Sequence, residues 1–463
     1  MRSQQLWMGA PLARPPVPAG HDTGITKSMG SVTQGMCPQT MKHSMKQIRI
    51  TDLARPVLSS VERHFVESAP DVTLSLEAVL DAARERTSLD NFGAEDFKER
   101  LGLWLRLADE DRGLNRFGRA ALLEQLVRYA ACRLRVEDLL ARHPEITRIP
   151  IVRPIIVSGM PRSGTTHLVN ALATSPVLRS MKLWEATEPV PLPGEPISFE
   201  ENDANPRYRR SIEAWHILTS VLEHFPAMHD MAPDHIHEEV ELQSPDFSSY
   251  VPDWLFRAPA WQRYYFAHDQ TPHYAYGKKV LQAMTWFKGG ERWIMKSPPN
   301  MENLAALLNV YPDATMIIAH RDPVAVIQSA ITMIAYWDRI RRTEADLPGL
   351  AALWIERVET TLRRCVHDRE QMPKDRTMDV LFHEYMADER GTIERAWQLA
   401  GLPLTDEATQ RIDAYLASNR RGRHGQVVYD LHGDFGVDVP ALRRRFQFYY
   451  DRFPVARERV TGE

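Results

Sequence analysis

The sequence predicts an α/β fold: a parallel sheet flanked by helices, preceded by a helical N-terminal region. Three observations point to it. After the breaker HPEITRIP, short β-rich runs alternate with helical stretches. Before it, apolar residues recur at helical spacing. The residues with the most chemical character stand where the β-rich runs end, the place where such sheets hold their ligands.

Residues 1–50 are rich in Pro, Gly, Ser, Met and Gln without periodicity, which predicts a poorly ordered leader. Over residues 51–148, three apolar series predict helices: Leu76, Val79, Leu80 and Ala83; Phe97, Leu101 and Leu105; Leu122, Leu126 and Leu134. Residues 149–463 form the third unit. There PIIVS, RWIMK and TMIIAH read as strands, and helices are expected from about Thr165 to Leu178, Met301 to Val310 and Pro323 to Arg341.

Composition narrows the function classes. The chain has 463 residues, 43% hydrophobic and 25% charged, with a formal charge of −4, which argues against a basic surface that grips nucleic acid. Cys37, Cys132 and Cys365 are odd in number and far apart, excluding a disulfide framework and any CxxC metal pair. No apolar run reaches the roughly 18 residues a membrane span needs. The expected setting is cytoplasmic, with no nucleic-acid partner.

The stretch GMPRSGTT, residues 159–166, follows a strand and opens a helix. There the amides of Ser163, Gly164, Thr165 and Thr166 can converge on an anion, helped by the helix dipole. Arg162 adds a charged fork. A nucleoside-triphosphate loop would carry Lys after its second Gly, where this chain has Thr165, so triphosphate chemistry is poorly served. A sulfuryl donor needs neither that lysine nor a metal. A plain strand-to-helix turn explains the Gly and Pro, but not the Arg, Ser and two Thr together.

On PRSGTT and the segments below, residues 151–450 resemble the sulfotransferases that use 3′-phosphoadenosine 5′-phosphosulfate (PAPS). In this loop they are closer to the tyrosylprotein branch than to the cytosolic branch. The resemblance implies a P-loop-like sulfotransferase fold and in-line transfer of a sulfuryl group from PAPS to a hydroxyl or amine acceptor, with no metal required. Arg162 through Thr166 would hold the 5′-phosphosulfate. In TMIIAHRDPVAVIQSA, Arg321 and Ser329 match the residues that bind the 3′-phosphate, and Asp322 and Pro323 suit a helix start. RRGRHG, residues 420–425, resembles the family's closing loop and would add Arg421 and Gly422; a basic surface turn reads the same way. A protein-kinase HRD loop would need Asn where Ile327 stands.

In IMKSPPNM, Lys296 matches the family lysine that assists the leaving group, but Pro298 replaces the cytosolic branch's catalytic His and cannot accept a proton. By resemblance to the tyrosylprotein branch, Glu185 in MKLWEATEP is the first candidate base. Glu188, His235, His237, Glu238 and Glu239 remain open alternatives. His235 and His237 stand two apart, not at HExxH spacing, so no metal site is expected. Trp215, Phe225, Phe247, Tyr250, Trp254, Trp261, Tyr264 and Tyr265 are candidates to line a pocket for an apolar or phenolic alcohol, although core is the commoner role. Two rival functions remain: a P-loop kinase using ATP, and a nucleotide-binding module without catalysis.

Overall fold

The computed structural model describes residues 47–290, 292–419 and 425–461. Most of the expected leader, together with Arg421 and Gly422, lies outside these residues.

A short strand β1 (Gln47–Arg49) leads into α1 (Ser60–Ser68), α2 (Leu76–Thr87), α3 (Phe97–Glu110) and α4 (Arg116–Arg142). The expected apolar positions are the ones these helices bury: Val79, Leu80 and Ala83; Phe97, Leu101 and Leu105; Leu122, Leu126 and Leu134. Side-chain caps start three of them, with Ser59 accepting from the Glu62 amide ahead of α1. Ser75 accepts from the Ala78 amide ahead of α2, and Asn115 from the Gly118 amide ahead of α4.

The sheet follows: β2 (Ile155–Gly159), β3 (Leu178–Arg179), β4 (Arg292–Ser297), β5 (Thr315–His320) and β6 (Thr377–Leu381), all parallel, in the order β3-β4-β2-β5-β6. β1 pairs with β7 (Gln426–Val428) as a separate two-stranded ribbon. β2 and β5 are buried along their whole length, which is why they read as continuous apolar runs rather than alternating ones. Ile155, Val157 and Ile317 pack with Leu168 and Leu172 on one face, while Ile156, Met316 and Ile318 join the larger core on the other.

Register decides where the chemistry falls. Val157 lies beside Lys296 and Ile317, and Gly159 beside Ala319. The carboxyl ends of β2, β4 and β5 are therefore level, at the central strand from which the chain departs first to one side of the sheet and then to the other. Gly159 is required there: a Cβ would stand 2.8 Å from the Ala319 carbonyl and 2.8 Å from Ser163 Oγ.

The helix after β2, α5 (Thr165–Leu172), stops short of the expected Leu178. Pro176 cannot continue a helix and disfavours helical geometry in the residue before it, so the chain turns into β3 instead. The expected helix Met301–Val310 divides into a 3-10 turn, Pro298–Glu302, and a helix, Leu304–Val310. The helix Pro323–Arg341 begins as expected, with Asp322 Oδ1 accepting from the Val324 amide at 3.0 Å.

The N-terminal helices are fastened to this unit. Asn115 donates from its amide to the Arg341 carbonyl and from Nδ2 to the Ile340 carbonyl, both at 3.0 Å. Arg342 grips Asp111 with both nitrogens at 2.7 and 2.8 Å. Gly118 allows the close approach, since a Cβ would meet the Arg341 carbonyl at 2.3 Å. Among the described residues no helix is long and apolar enough to cross a membrane.

Candidate active site

A cavity of about 800 Å³ opens at the carboxyl ends of the central strands. Arg162, Gly164, Thr165, Thr166, Lys296 and Arg321 all line it, so three separate sequence motifs meet at one place. The amides of Thr165 and Thr166 open α5 and have no partner within the helix, which leaves them for a ligand. Gly164 takes φ +86°, and Arg162 takes the left-handed φ of 69°, a conformation non-glycine residues hold only where the surroundings impose it. Those surroundings are visible: Arg162 Nε donates to Ser329 Oγ at 3.0 Å and its Nη1 to the Met228 carbonyl.

Arg321 reaches back across the loop and donates to the Arg162 carbonyl. Its guanidinium lies over the Phe382 ring, 4.1 Å from the centroid. Its two remaining faces are held by the Glu458 carboxylate, at 2.5 Å from Nε and 2.6 Å from Nη2. Glu458 is fixed in turn by its amide to Asp322 and by Arg443 on its carbonyl. Two expected ligands are turned aside: Ser163 Oγ donates to the Met160 carbonyl at 2.6 Å, and Ser329 sits behind Arg162, its hydroxyl 3.0 Å from Tyr429 Oη. Neither side chain lines the cavity, because each is already satisfied within the protein.

Lys296 leaves β4 with a side chain 2% exposed, and its Nζ donates to Glu238 Oε1 at 2.6 Å. A buried ammonium needs such a partner. Burial alone would raise the Glu238 carboxyl, but the charge and hydrogen bond of Lys296 outweigh it and hold the group below its usual range. The segment carrying Glu238 is clamped beside α6 (Leu183–Thr187): the Leu183 amide donates to the His235 carbonyl, the His237 amide to the Met181 carbonyl, and the Glu239 amide to the Lys296 carbonyl.

Three imidazoles face the cavity here, His229, His235 and His237. Burial brings His229 down to about 4, and burial reinforced by Lys296 holds His235 far below its usual value. Both are neutral bases. His235 Nε2 and His237 Nδ1 are buried without a hydrogen-bond partner among the described residues. On its other side His237 Nε2 stands 3.9 Å from Glu241 Oε1, and Glu241 is held by Arg128 of α4 at 2.8 Å.

Glu185 does not reach this cluster. It sits in the first turn of α6, where Oε2 accepts from the Lys182 amide at 3.2 Å, while Oε1 faces Lys288 at 3.4 Å and Arg179 at 3.5 Å. It is a buried capping and ion-pairing residue outside the cavity, and the expectation that it is the base is corrected. Glu188 lines the cavity but is gripped by Arg210 at 2.6 Å and Arg135 at 3.3 Å; against its burial these arginines hold it ionised. Glu239 turns away toward Asn300, and burial raises it to about 7. Among the described residues, no group of three or more His, Cys, Asp or Glu is arranged to hold a metal ion.

Of the candidate aromatics, Trp215, Phe225, Tyr250 and Trp254 line the cavity. Phe247, Trp261 and Tyr265 belong to the core under the N-terminal helices, with Tyr264 packed against it. Sequence reasoning missed His229, Phe382 and Glu458, as well as the α4 face bearing Ala121 and Leu122, all without a motif of their own. The one available signal was His229 at the head of the stretch HDMAPDHIHEEVE.

The sequence model of the Sulfotransferase family matches residues 154–406. No curated protein matches the sequence. Two crystal structures are similar over most of the chain. The sulfotransferase STF9 from Mycobacterium avium is 26% identical with a TM-score of 0.74, covering 86% of this chain and 100% of that one. The sulfotransferase STF1 from Mycobacterium tuberculosis H37Rv is 25% identical with a TM-score of 0.72, covering 81% of this chain and 99% of that one. Residues 154–463 alone cannot supply such shares, so the likeness extends into the N-terminal helices.

Proposed function

The chain belongs to the sulfotransferase family, and from that premise we propose that it moves a sulfuryl group from PAPS to a hydroxyl or amine acceptor. One observation carries this reading: Arg162, Lys296 and Arg321, from the ends of three adjacent strands, open on one cavity beside the free amides of α5. The residues fit such a donor. The loop amides with Arg162 suit its 5′-phosphosulfate, and Arg321, released from Glu458, suits its 3′-phosphate.

In the transfer, the acceptor oxygen forms a bond to sulfur as the bond from sulfur to the phosphate oxygen breaks. The acceptor's proton passes to His237 Nδ1, oriented by Glu241 behind it, in the same manner that a carboxylate orients a catalytic imidazole elsewhere. Lys296 turns from Glu238 to the departing oxygen and stabilises the charge that develops there. Pro298 in place of the cytosolic branch's His, together with PRSGTT, favours kinship with the tyrosylprotein branch. The buried free thiols of Cys132 and Cys365 suit a reducing compartment, and we place the protein in the cytoplasm.

Calorimetric titration with adenosine 3′,5′-bisphosphate, and transfer of labelled sulfate from PAPS, test the reading. Binding is expected, and Arg321→Ala should weaken it at least tenfold while adenosine 5′-phosphate binds both proteins alike. Equal bisphosphate affinity in the variant would remove Arg321 as the anchor.

A further inference from the structure

The part of the cavity away from the donor loop has a different character. Its walls come from three helices and one turn: Leu122 of α4, Trp215 and Leu218 of α7 (Pro206–Val221), Ile334 and Trp337 of Pro323–Arg341, and Trp254. The three tryptophans are half-buried, unlike the fully buried Trp104 and Trp261 of the neighbouring core, and all three line the chamber. Tyr250 joins this chamber to the reacting groups: its ring stands 5.9 Å from that of Trp254, and its hydroxyl 3.4 Å from Glu238 Oε2.

The cations around this chamber are each held by a carboxylate of the protein, with Asp338 serving Arg257 as well as Arg341 and Glu188 serving Arg135 as well as Arg210. Arg128 is paired with Glu241 at 2.8 Å, Arg210 with Glu188 at 2.6 Å, and Arg341 with Asp338 at 2.7 Å. A charged acceptor would have to compete with these existing pairs for its counter-ion, which is costly in a desolvated site. A polyol would set several hydroxyls against indole and leucine surface and lose their hydrogen bonds to water. An apolar skeleton gains on burial instead.

Building on the donor reading above, we propose that the acceptor is an uncharged, bulky apolar alcohol, a polycyclic or branched hydrocarbon bearing one hydroxyl, held between α4, α7 and the helix Pro323–Arg341. The N-terminal helices are then part of the acceptor site, since α4 supplies one wall.

Two measurements test this. Titration of a sterol alone, read by intrinsic tryptophan fluorescence, reports on the chamber whether or not a donor binds. A saturable change is expected, at least tenfold weaker in Ala121→Trp, which fills the α4 wall. In a transfer assay with labelled PAPS, the sterol should show kcat/KM at least tenfold above that of a disaccharide or an acidic tyrosine peptide. Ala121→Trp should raise the sterol KM at least tenfold, with bisphosphate affinity within twofold of wild type. No saturable sterol binding, preference for the disaccharide or peptide, or no effect of Ala121→Trp would each overturn the proposal. Failure of bisphosphate to bind alongside normal sterol binding would instead count against the donor reading.

Discussion

The two ends of the cavity are built from different materials. At the proposed donor end, Arg162, Thr165, Lys296 and Arg321 stand at or just beyond strand ends that register holds level, and each lies in a short contiguous motif. At the proposed acceptor end, Leu122, Trp215, Trp254 and Trp337 come from segments far apart in the chain, and none lies in a motif. Gripping an anion requires main-chain amides and forks at defined places, so few residue types serve and they leave a local signature. Lining an apolar chamber requires only size and hydrophobicity, so many residues serve and no signature results.

The sharpest way to break this comparison is at Lys296, which the proposed reaction puts on the donor side. Lys296→Met should lower kcat by roughly 10²–10³-fold toward every acceptor tried, with bisphosphate affinity little changed, as for loss of a donor to a developing oxyanion. Single-turnover rates with two dissimilar acceptors check it; a loss confined to one of them would place Lys296 in acceptor recognition.

Between the two ends lie the neutral imidazoles, and they make stability depend on pH. His229 falls from an ordinary 6.5 to about 4 on folding, with burial as the main cause. The unfolded chain therefore binds the proton more readily. The stabilisation is fully present above pH 6.5 and lost as pH falls toward 4, about 2 kcal/mol by pH 5. His235 acts in the same direction. Thermal melts at pH 7 and pH 5 should show this loss, and His229→Gln should reduce it; an unchanged pH slope in the variant would clear His229 of responsibility.

The smallest effect is expected at Glu458, whose carboxylate is paired with Arg321, the proposed anchor. Because it competes for Arg321, Glu458→Gln should tighten bisphosphate binding by about fivefold, equivalent to about 1 kcal/mol, the worth of a partly exposed ion pair. The acceptor KM should not move. Weaker bisphosphate binding in this variant would instead make Glu458 the group that holds Arg321 in place.

Much of the fold was legible because its signals are local. TMIIAH followed by Asp322 and Pro323 specifies a strand, a cap and a helix start within a few residues, and the structure has all three. The α5 boundary was misread because Pro176 weighs more than the apolar pattern around it. Glu185 was misplaced for another reason. Its position in the chain matched a family base, but its carboxylate folds back onto the Lys182 amide and the cations of Lys288 and Arg179.

By itself the sequence determined the parallel sheet, the helical region ahead of it and the strand-loop-helix turn that carries Arg162 and Gly164, because strand runs, caps and glycine-dependent turns act over a few residues. Only the tertiary structure decided that Glu238 faces Lys296, that His237 and Glu241 meet at the cavity wall, and that α4 lines the same cavity. Those relations depend on strand register and helix docking between residues distant in the chain, and no local pattern encodes such distances.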